Sequence, residues 1–159
     1  MFVLGIMLDD ILSSANRYFS TFSGGRYCLN RIEDRVAARG YNGLELEVFD
    51  AYCGGSRAIN TLSGGETFLA SLSLAFGLSD VVQSGAGGVR LDSIFIDEGF
   101  GTLDQETLDT AMKAIAEIQK LGRTVGIISH VSQLRALIPA RIEVISQPGG
   151  GSAVRVRAE

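Results

Sequence analysis

This sequence is short of several things, and each shortage excludes a class of protein. Its 159 residues include no tryptophan, 2 prolines, 2 cysteines and 1 histidine. Cys28 and Cys53 stand apart, with no Cys-x-x-Cys pair and no histidine nearby. That excludes a disulfide framework and a zinc ribbon, and it fits a chain kept reduced in the cytoplasm. No apolar run approaches the ~18 residues of a spanning helix, so no membrane partner is expected. Met1 to Leu12 carries Asp9 and Asp10 and no basic stretch, so no signal peptide is predicted. Positive charge is also scarce. Lys and Arg number 14 against 18 Asp and Glu, for a net charge of −4, which is no basic footprint for nucleic acid. Finally, Gly-x-x-x-x-Gly-Lys-Ser/Thr occurs nowhere, so the loop that cradles nucleotide phosphates is missing.

Glycine and apolar residues are what the chain has in quantity. It holds 20 glycines without the every-third-residue period of collagen. Apolar residues reach 46% and mean hydropathy is +0.23, enough for one packed domain. Many glycines cluster at the ends of apolar runs, where chain reversals are expected.

The runs themselves have readable periods. Leu4, Leu8, Ile11, Leu12, Ala15, Tyr18, Phe19 and Phe22 recur at helical spacing, and Ser23-Gly24-Gly25 stops them. Arg26 to Leu29 reads as a strand. Leu44 to Phe49 alternates like a half-buried strand after an Asn42-Gly43 turn, and Cys53-Gly54-Gly55 breaks it. An apolar helix is predicted over Thr67 to Gln83, followed by a loop at Ser84-Gly85-Ala86-Gly87-Gly88. Ile94-Phe95-Ile96 and Thr124 to Ile128 are continuous apolar strands, which implies burial on both faces in a parallel pair. Between them runs a helix opened by Asp104, faced by Leu108, Ala111, Met112, Ile115 and Ile118 and closed by Gly122. A short helix over Ser132 to Ile138 and a hairpin of Arg141–Ile145 with Ala153–Arg157 complete an α/β chain with a right-handed crossover.

Three places carry chemistry. Ser63 and Glu66 have capping-box spacing, so Ser63-Gly64-Gly65-Glu66 starts a helix whose free amides and dipole favour an anion. An ordinary capped helix with a flexible lead-in would look the same. Asp97 and Glu98 follow the Ile94-Phe95-Ile96 strand, at the carboxyl end where α/β folds place ligands. An Asp there can hold magnesium and a Glu can orient or deprotonate water, although a solvated strand end is equally compatible. His130 follows the other apolar strand. A lone histidine is more often structural, but neighbouring strands would put it on one edge with Glu98. The glycine loop at 85–88 precedes a strand, whereas a dinucleotide fingerprint follows one, and it is read as a plain loop.

Taken in order, these places resemble the ABC ATPases. Leu62-Ser63-Gly64-Gly65-Glu66 looks like the signature motif, Ile94-Phe95-Ile96-Asp97-Glu98 like a Walker B strand, Gly101-Thr102-Leu103-Asp104 like the D-loop and Ser129-His130 like the switch histidine. The longer stretches Thr61–Ala75, Phe95–Asp104 and Gly126–Val131 resemble the SbcC family, SMC-related ATPase subunits of bacterial DNA exonucleases. Gly99-Phe100-Gly101 stands where transporter ATPases usually carry Pro-Thr or Pro-Ser. Ser23-Gly24-Gly25-Arg26-Tyr27 looks like the point where that family's coiled coil joins its head. The resemblance covers about Leu8 to Val154.

That resemblance implies a fold, a set of roles and a set of partners. The fold is the carboxy-terminal lobe of an ABC-type head, a largely parallel sheet flanked by helices with a terminal hairpin. Residues 1–22 would end a coiled coil and 23–159 would form the lobe. Ser63, Gly64 and Gly65 would bind the γ-phosphate of ATP held by the opposite head, and Glu66 would set that loop. Asp97 would support Mg2+, Glu98 would be the general base, and His130 would contact the γ-phosphate. Gly101, Thr102, Leu103 and Asp104 would cross the dimer interface. The implied partners are the amino-terminal lobe carrying the missing P-loop, a second head, an SbcD-type nuclease subunit and double-stranded DNA. The implied function is half of an ATP-hydrolysing head in DNA end processing and double-strand break repair. An SMC-like head that clamps or tethers DNA, with hydrolysis only as a switch, stays open beside it. The lobe alone is expected to hydrolyse no ATP and to leave part of its sheet uncovered.

Overall fold

Helix α1 (Phe2–Phe22) opens the chain. The computed structural model describes residues 2–32, 45–85, 91–120 and 122–158. The Asn42-Gly43 turn, Leu44 and the Ala86-Gly87-Gly88 part of the glycine loop lie outside the described residues. The apolar face of α1 buries Leu12, Ala15, Phe19 and Phe22, as its spacing predicts. Its first turns leave Leu4, Ile6 and Met7 exposed. The helix ends where Gly24 and Gly25 adopt φ of 61° and 81°, a conformation glycine takes without steric cost.

Strands β1 (Tyr27–Arg31), β2 (Leu46–Asp50) and β3 (Gly55–Ala58) then form an antiparallel sheet in that order. Leu29 lies opposite Val48, and both are buried beneath α1. β3 begins inside the segment read only as a break. Its Gly-Ser-Arg-Ala sequence has no apolar alternation, so its pairing with β2 left no period to read.

A 3-10 turn (Ile59–Thr61) leads into α2 (Gly64–Gly85), the central helix. By length and hydropathy α2 could cross a membrane. Here Leu69, Ala70, Leu72 and Phe76 pack it into the core instead. α1 and α2 approach closely at Gly77. A Cβ on that glycine would lie 2.6 Å from Ala15 N and 2.7 Å from Ile11 O. The fit leaves no room for a side chain.

Asp80, on α2, gathers three elements. It accepts hydrogen bonds from Ser14 Oγ and Tyr18 Oη of α1, both at 2.8 Å, and from Arg123 at the start of the last parallel strand. Its carboxyl is pulled below the usual range: burial opposes this, and the hydrogen bonds and the Arg123 charge outweigh burial.

β4 (Ser93–Asp97) and β5 (Thr124–Ile128) pair in parallel, Ile94 with Val125 and Ile96 with Ile127. The crossover between them is a 3-10 turn (Phe100–Thr102) and α3 (Gln105–Lys120). α3 buries Leu108, Ala111, Ala114, Ile115 and Ile118. Short α4 (Leu134–Leu137) and the hairpin of β6 (Arg141–Ser146) and β7 (Ser152–Arg157) finish the chain.

The α/β class and the terminal hairpin are as the sequence reads. Among the described residues, parallel pairing is confined to β4 and β5, and the other two sheets are antiparallel. One expectation is corrected. The apolar strands are not buried on both faces, since Phe95 is 73% exposed and Ile128 54%. Ile94 and Ile96 face the packed side while Phe95 lies over Gly126 on the other, and no layer of described residues covers that second side. A continuous apolar strand records two covering layers, but both need not come from the same chain.

Candidate functional site

The site begins at the turn after β4. Asp97 ends the strand, Glu98 sits at φ 62° and Gly99 at φ 94°. A left-handed glutamate costs about 1–2 kcal/mol and persists only where its surroundings hold it. Here its amide donates to Ile128 O at 2.9 Å, tying the turn to the end of β5. Gly99 is required twice, by its φ and because a Cβ would lie 2.8 Å from the Phe68 ring of α2. Phe100 then turns inward against Phe68, with centroids 4.9 Å apart.

This backbone aims Glu98 at His130. His130 Nδ1 lies 3.0 Å from Glu98 Oε2 and 3.3 Å from Oε1. A carboxylate only accepts, so Nδ1 carries the hydrogen in this contact. The sequence left this pairing conditional on neighbouring strands, and the β4–β5 register supplies the condition. Both side chains are open to solvent. Gly101 lies against the His130 ring, 3.5 Å from Cε1 and Nε2 to a built Cβ. Asp97 is exposed, and among the described residues no group of three His, Cys, Asp or Glu side chains comes together.

Gly101, Thr102 and Leu103 lead to Asp104, which caps α3 by accepting from Thr107 N at 2.8 Å. That backbone hydrogen bond holds the Asp104 carboxyl below its ordinary value. Thr107 also meets the second chemical element. A Cβ on Gly65 would lie 2.5 Å from its γ-methyl, so Gly65 is small because α3 abuts it. Gly64 has open space around it and is the glycine past which a ligand could approach.

The capping box itself is formed. Glu66 Oε2 accepts from Ser63 N at 2.8 Å, and Ser63 Oγ accepts from Glu66 N at 3.3 Å. Behind it lies a cluster that sequence reasoning missed. Asp50 is 1% exposed and takes a two-pronged pair of hydrogen bonds from Arg26, with Arg57 3.7 Å away. Glu66 Oε1 accepts from the Tyr27 hydroxyl at 2.5 Å. Burial pushes the Tyr27 hydroxyl up to about 12, and the Glu66 hydrogen bond and charge add to the rise. Burial would raise the Glu66 carboxyl as well, but hydrogen bonds from Tyr27 and Ser63 and the Arg26 charge leave it below its usual value. The one available signal was Asp50, a carboxylate at the inward phase of a strand whose Val48 is buried.

The α/β fold that carries these residues is similar to that of SMC- and ABC-type ATPase heads and fits their carboxy-terminal lobe. Solved structures agree on the fold. The chain superposes on a structure described under ATP-driven dimerization and DNA-stimulated activation of SMC ATPases with a TM-score of 0.70 and 22% identity, covering 98% of this chain and 88% of that one. An SMC head domain from Thermotoga maritima gives a TM-score of 0.62 at 19% identity, covering 92% and 47%. Residues 38–117 match the family described as SbcC/RAD50-like, Walker B motif. The chain belongs to this family. It is 51% identical over 151 residues to the SbcC component of the SbcCD nuclease of Vibrio cholerae, covering 95% of this chain and 15% of that protein. It is 54% identical over 145 residues to the SbcC component from Staphylococcus aureus, covering 91% and 14%. The chain thus spans about one seventh of the length of these relatives.

Proposed function

We propose that this chain supplies half of the ATP-binding and hydrolysing head of an SbcC-type subunit, acting in a cytoplasmic exonuclease complex on double-stranded DNA ends. The observation that carries this reading is the Glu98–His130 pair at the carboxyl end of the parallel strands. Glu98 is the general base toward the attacking water, and His130 beside it meets a γ-phosphate oxygen through Nε2 when both ring nitrogens carry hydrogen, since a phosphate oxygen only accepts. Ser63 and Gly64 at the capped start of α2 offer backbone amides and a hydroxyl to the γ-phosphate of ATP carried by a second head. Gly65 and Glu66 shape that turn. Asp97 is the protein's carboxylate toward Mg2+, which commonly takes one or two carboxylates beside phosphate and water. Magnesium neutralises phosphate charge when bound. Gly101, Thr102, Leu103 and Asp104 form the loop that meets the second head.

Exposure of the pair supports a composite site. Hydrolytic chemistry is run in a covered pocket, and the cover for Glu98 and His130 comes from outside this chain. The open face of β4 and β5 is where an amino-terminal lobe packs, and the exposed first turns of α1 continue as coiled coil. The further partner is an SbcD-type nuclease subunit.

Reconstitution tests the reading. The chain alone should hydrolyse no ATP, and adding an amino-terminal SbcC lobe should restore turnover. In the reconstituted head, Glu98→Gln should lower turnover at least ~100-fold while ATP-dependent head association persists. Robust ATP hydrolysis by the chain alone, or by the Glu98→Gln head, would overturn it.

A further inference from the structure

The turn at Ser63 is held from behind by a side chain to which the proposed chemistry assigns no part. In a capping box the N-cap side chain and the glutamate satisfy one another's backbone amides. Here Glu66 is engaged further, at both of its oxygens. Oε2 takes the Ser63 amide and Oε1 takes the Tyr27 hydroxyl, with Arg26 at 3.8 Å from Oε1 and Arg57 at 4.0 Å from Oε2.

Tyr27 is in turn fixed on several sides. Its ring stacks on Phe19 with centroids 5.7 Å apart, and the Arg26 guanidinium covers it at 4.6 Å from the ring centre. Its amide donates to Ser23 Oγ at 3.2 Å, and Ser23 Oγ donates to Phe19 O at 2.6 Å, in the last turn of α1. The path therefore runs without a gap from the end of α1 through Tyr27 and Glu66 to the Ser63 backbone. Arg26 and Arg57 are themselves held by buried Asp50.

We infer that Tyr27 is a positioning residue for Ser63: through Glu66 it locks the turn that faces the nucleotide phosphate and ties its geometry to the end of α1. The inference rests on the proposed phosphate contact and deepens it. A glutamate free to rotate would present the Ser63–Gly64 backbone in several geometries. One pinned at both oxygens presents a single geometry, so less ordering is left to be done when phosphate binds.

The test uses the whole chain reconstituted with an amino-terminal SbcC lobe. Tyr27→Phe removes the hydroxyl and keeps the ring. The ATP concentration for half-maximal head association should rise about three- to tenfold, less than the full worth of one hydrogen bond to a charged acceptor because Tyr27 acts through Glu66, while turnover at saturating ATP stays within about twofold. In a Glu66→Ala background the same substitution should add nothing to the ATP requirement. An equal loss in both backgrounds would make Tyr27 a packing residue and overturn the inference. So would an unchanged ATP requirement in Tyr27→Phe when Ser63→Glu abolishes association. Were Ser63→Glu without effect, the phosphate reading itself would fall. In the chain alone, amide exchange at Ser63 should quicken in Tyr27→Phe, and an unchanged rate would also overturn the inference.

Discussion

The two ends of the chain use apolar residues in opposite ways. From α1 through α2 they turn inward. Phe19, Phe76, Leu29 and Val48 are fully buried, and Asp50 and Asp80 bind the elements together. From β4 onward α3 still buries Leu108, Ile115 and Ile118, but the parallel pair and the hairpin turn comparable residues outward. Phe95 and Ile128 line an open face, and Ile142, Val144, Val154 and Val156 share the exposed side of the hairpin. Composition is similar in the two regions and burial is not. Among the described residues the first region encloses most of its large apolar side chains, whereas the strand and hairpin faces of the second stay open.

That contrast can be broken or sharpened by substitution. The largest effect is expected in the enclosed region. Phe76→Ala should cost about 3–5 kcal/mol in denaturant unfolding of the chain, because the ring is fully enclosed. Gly77→Val should cost about 2–3 kcal/mol, since its side chain meets the α1 backbone, and a loss below about 1 kcal/mol would show that the helices can separate there.

Titration should come next. Asp50, Glu66 and Asp80 lie below their ordinary values, so the stability they confer is full above about pH 4 and lost as pH falls through their folded values. Tyr27 lies above its ordinary value, so its share is full below about pH 10 and lost as pH rises toward 12. Thermal melts across both ranges check the signs, and Tyr27→Phe should flatten the alkaline side and weaken the acid side only by the share its hydroxyl holds at Glu66. Ser63→Ala removes one cap and should cost about 1 kcal/mol.

The smallest effect belongs to the open face. Phe95→Ser should change stability by no more than about 0.5 kcal/mol. Combined with Val144→Lys it should raise the monomer fraction in light scattering, because both side chains face solvent in the isolated chain.

What the sequence showed and hid follows the same physics. The α2 and α3 segments were legible from runs of apolar residues at helical spacing, and β4 and β5 as short unbroken apolar runs between breaks. Ser63, Glu66 and Asp104 were legible because caps have fixed spacing. The Glu98–His130 contact was half legible, needing only the register of two strands. The contact of Tyr27 with Glu66 was not, because a hydroxyl and a carboxylate 39 positions apart leave no pattern along the chain. Nor could Ile94-Phe95-Ile96 say whose side chains cover Phe95. An apolar strand reads the same whether its second layer is internal or supplied from outside. The Gly64–Gly65 pair shows the reverse case, in which two adjacent glycines with one apparent purpose have two: Gly65 admits Thr107 and Gly64 leaves the approach open.

The close fit at Gly77 also has a mechanical side. At that point the α2 backbone is seated directly on that of α1, with no side chain between them. Close-packed backbones of this kind leave no soft layer, so the two helices shift as a unit at this contact instead of sliding past one another.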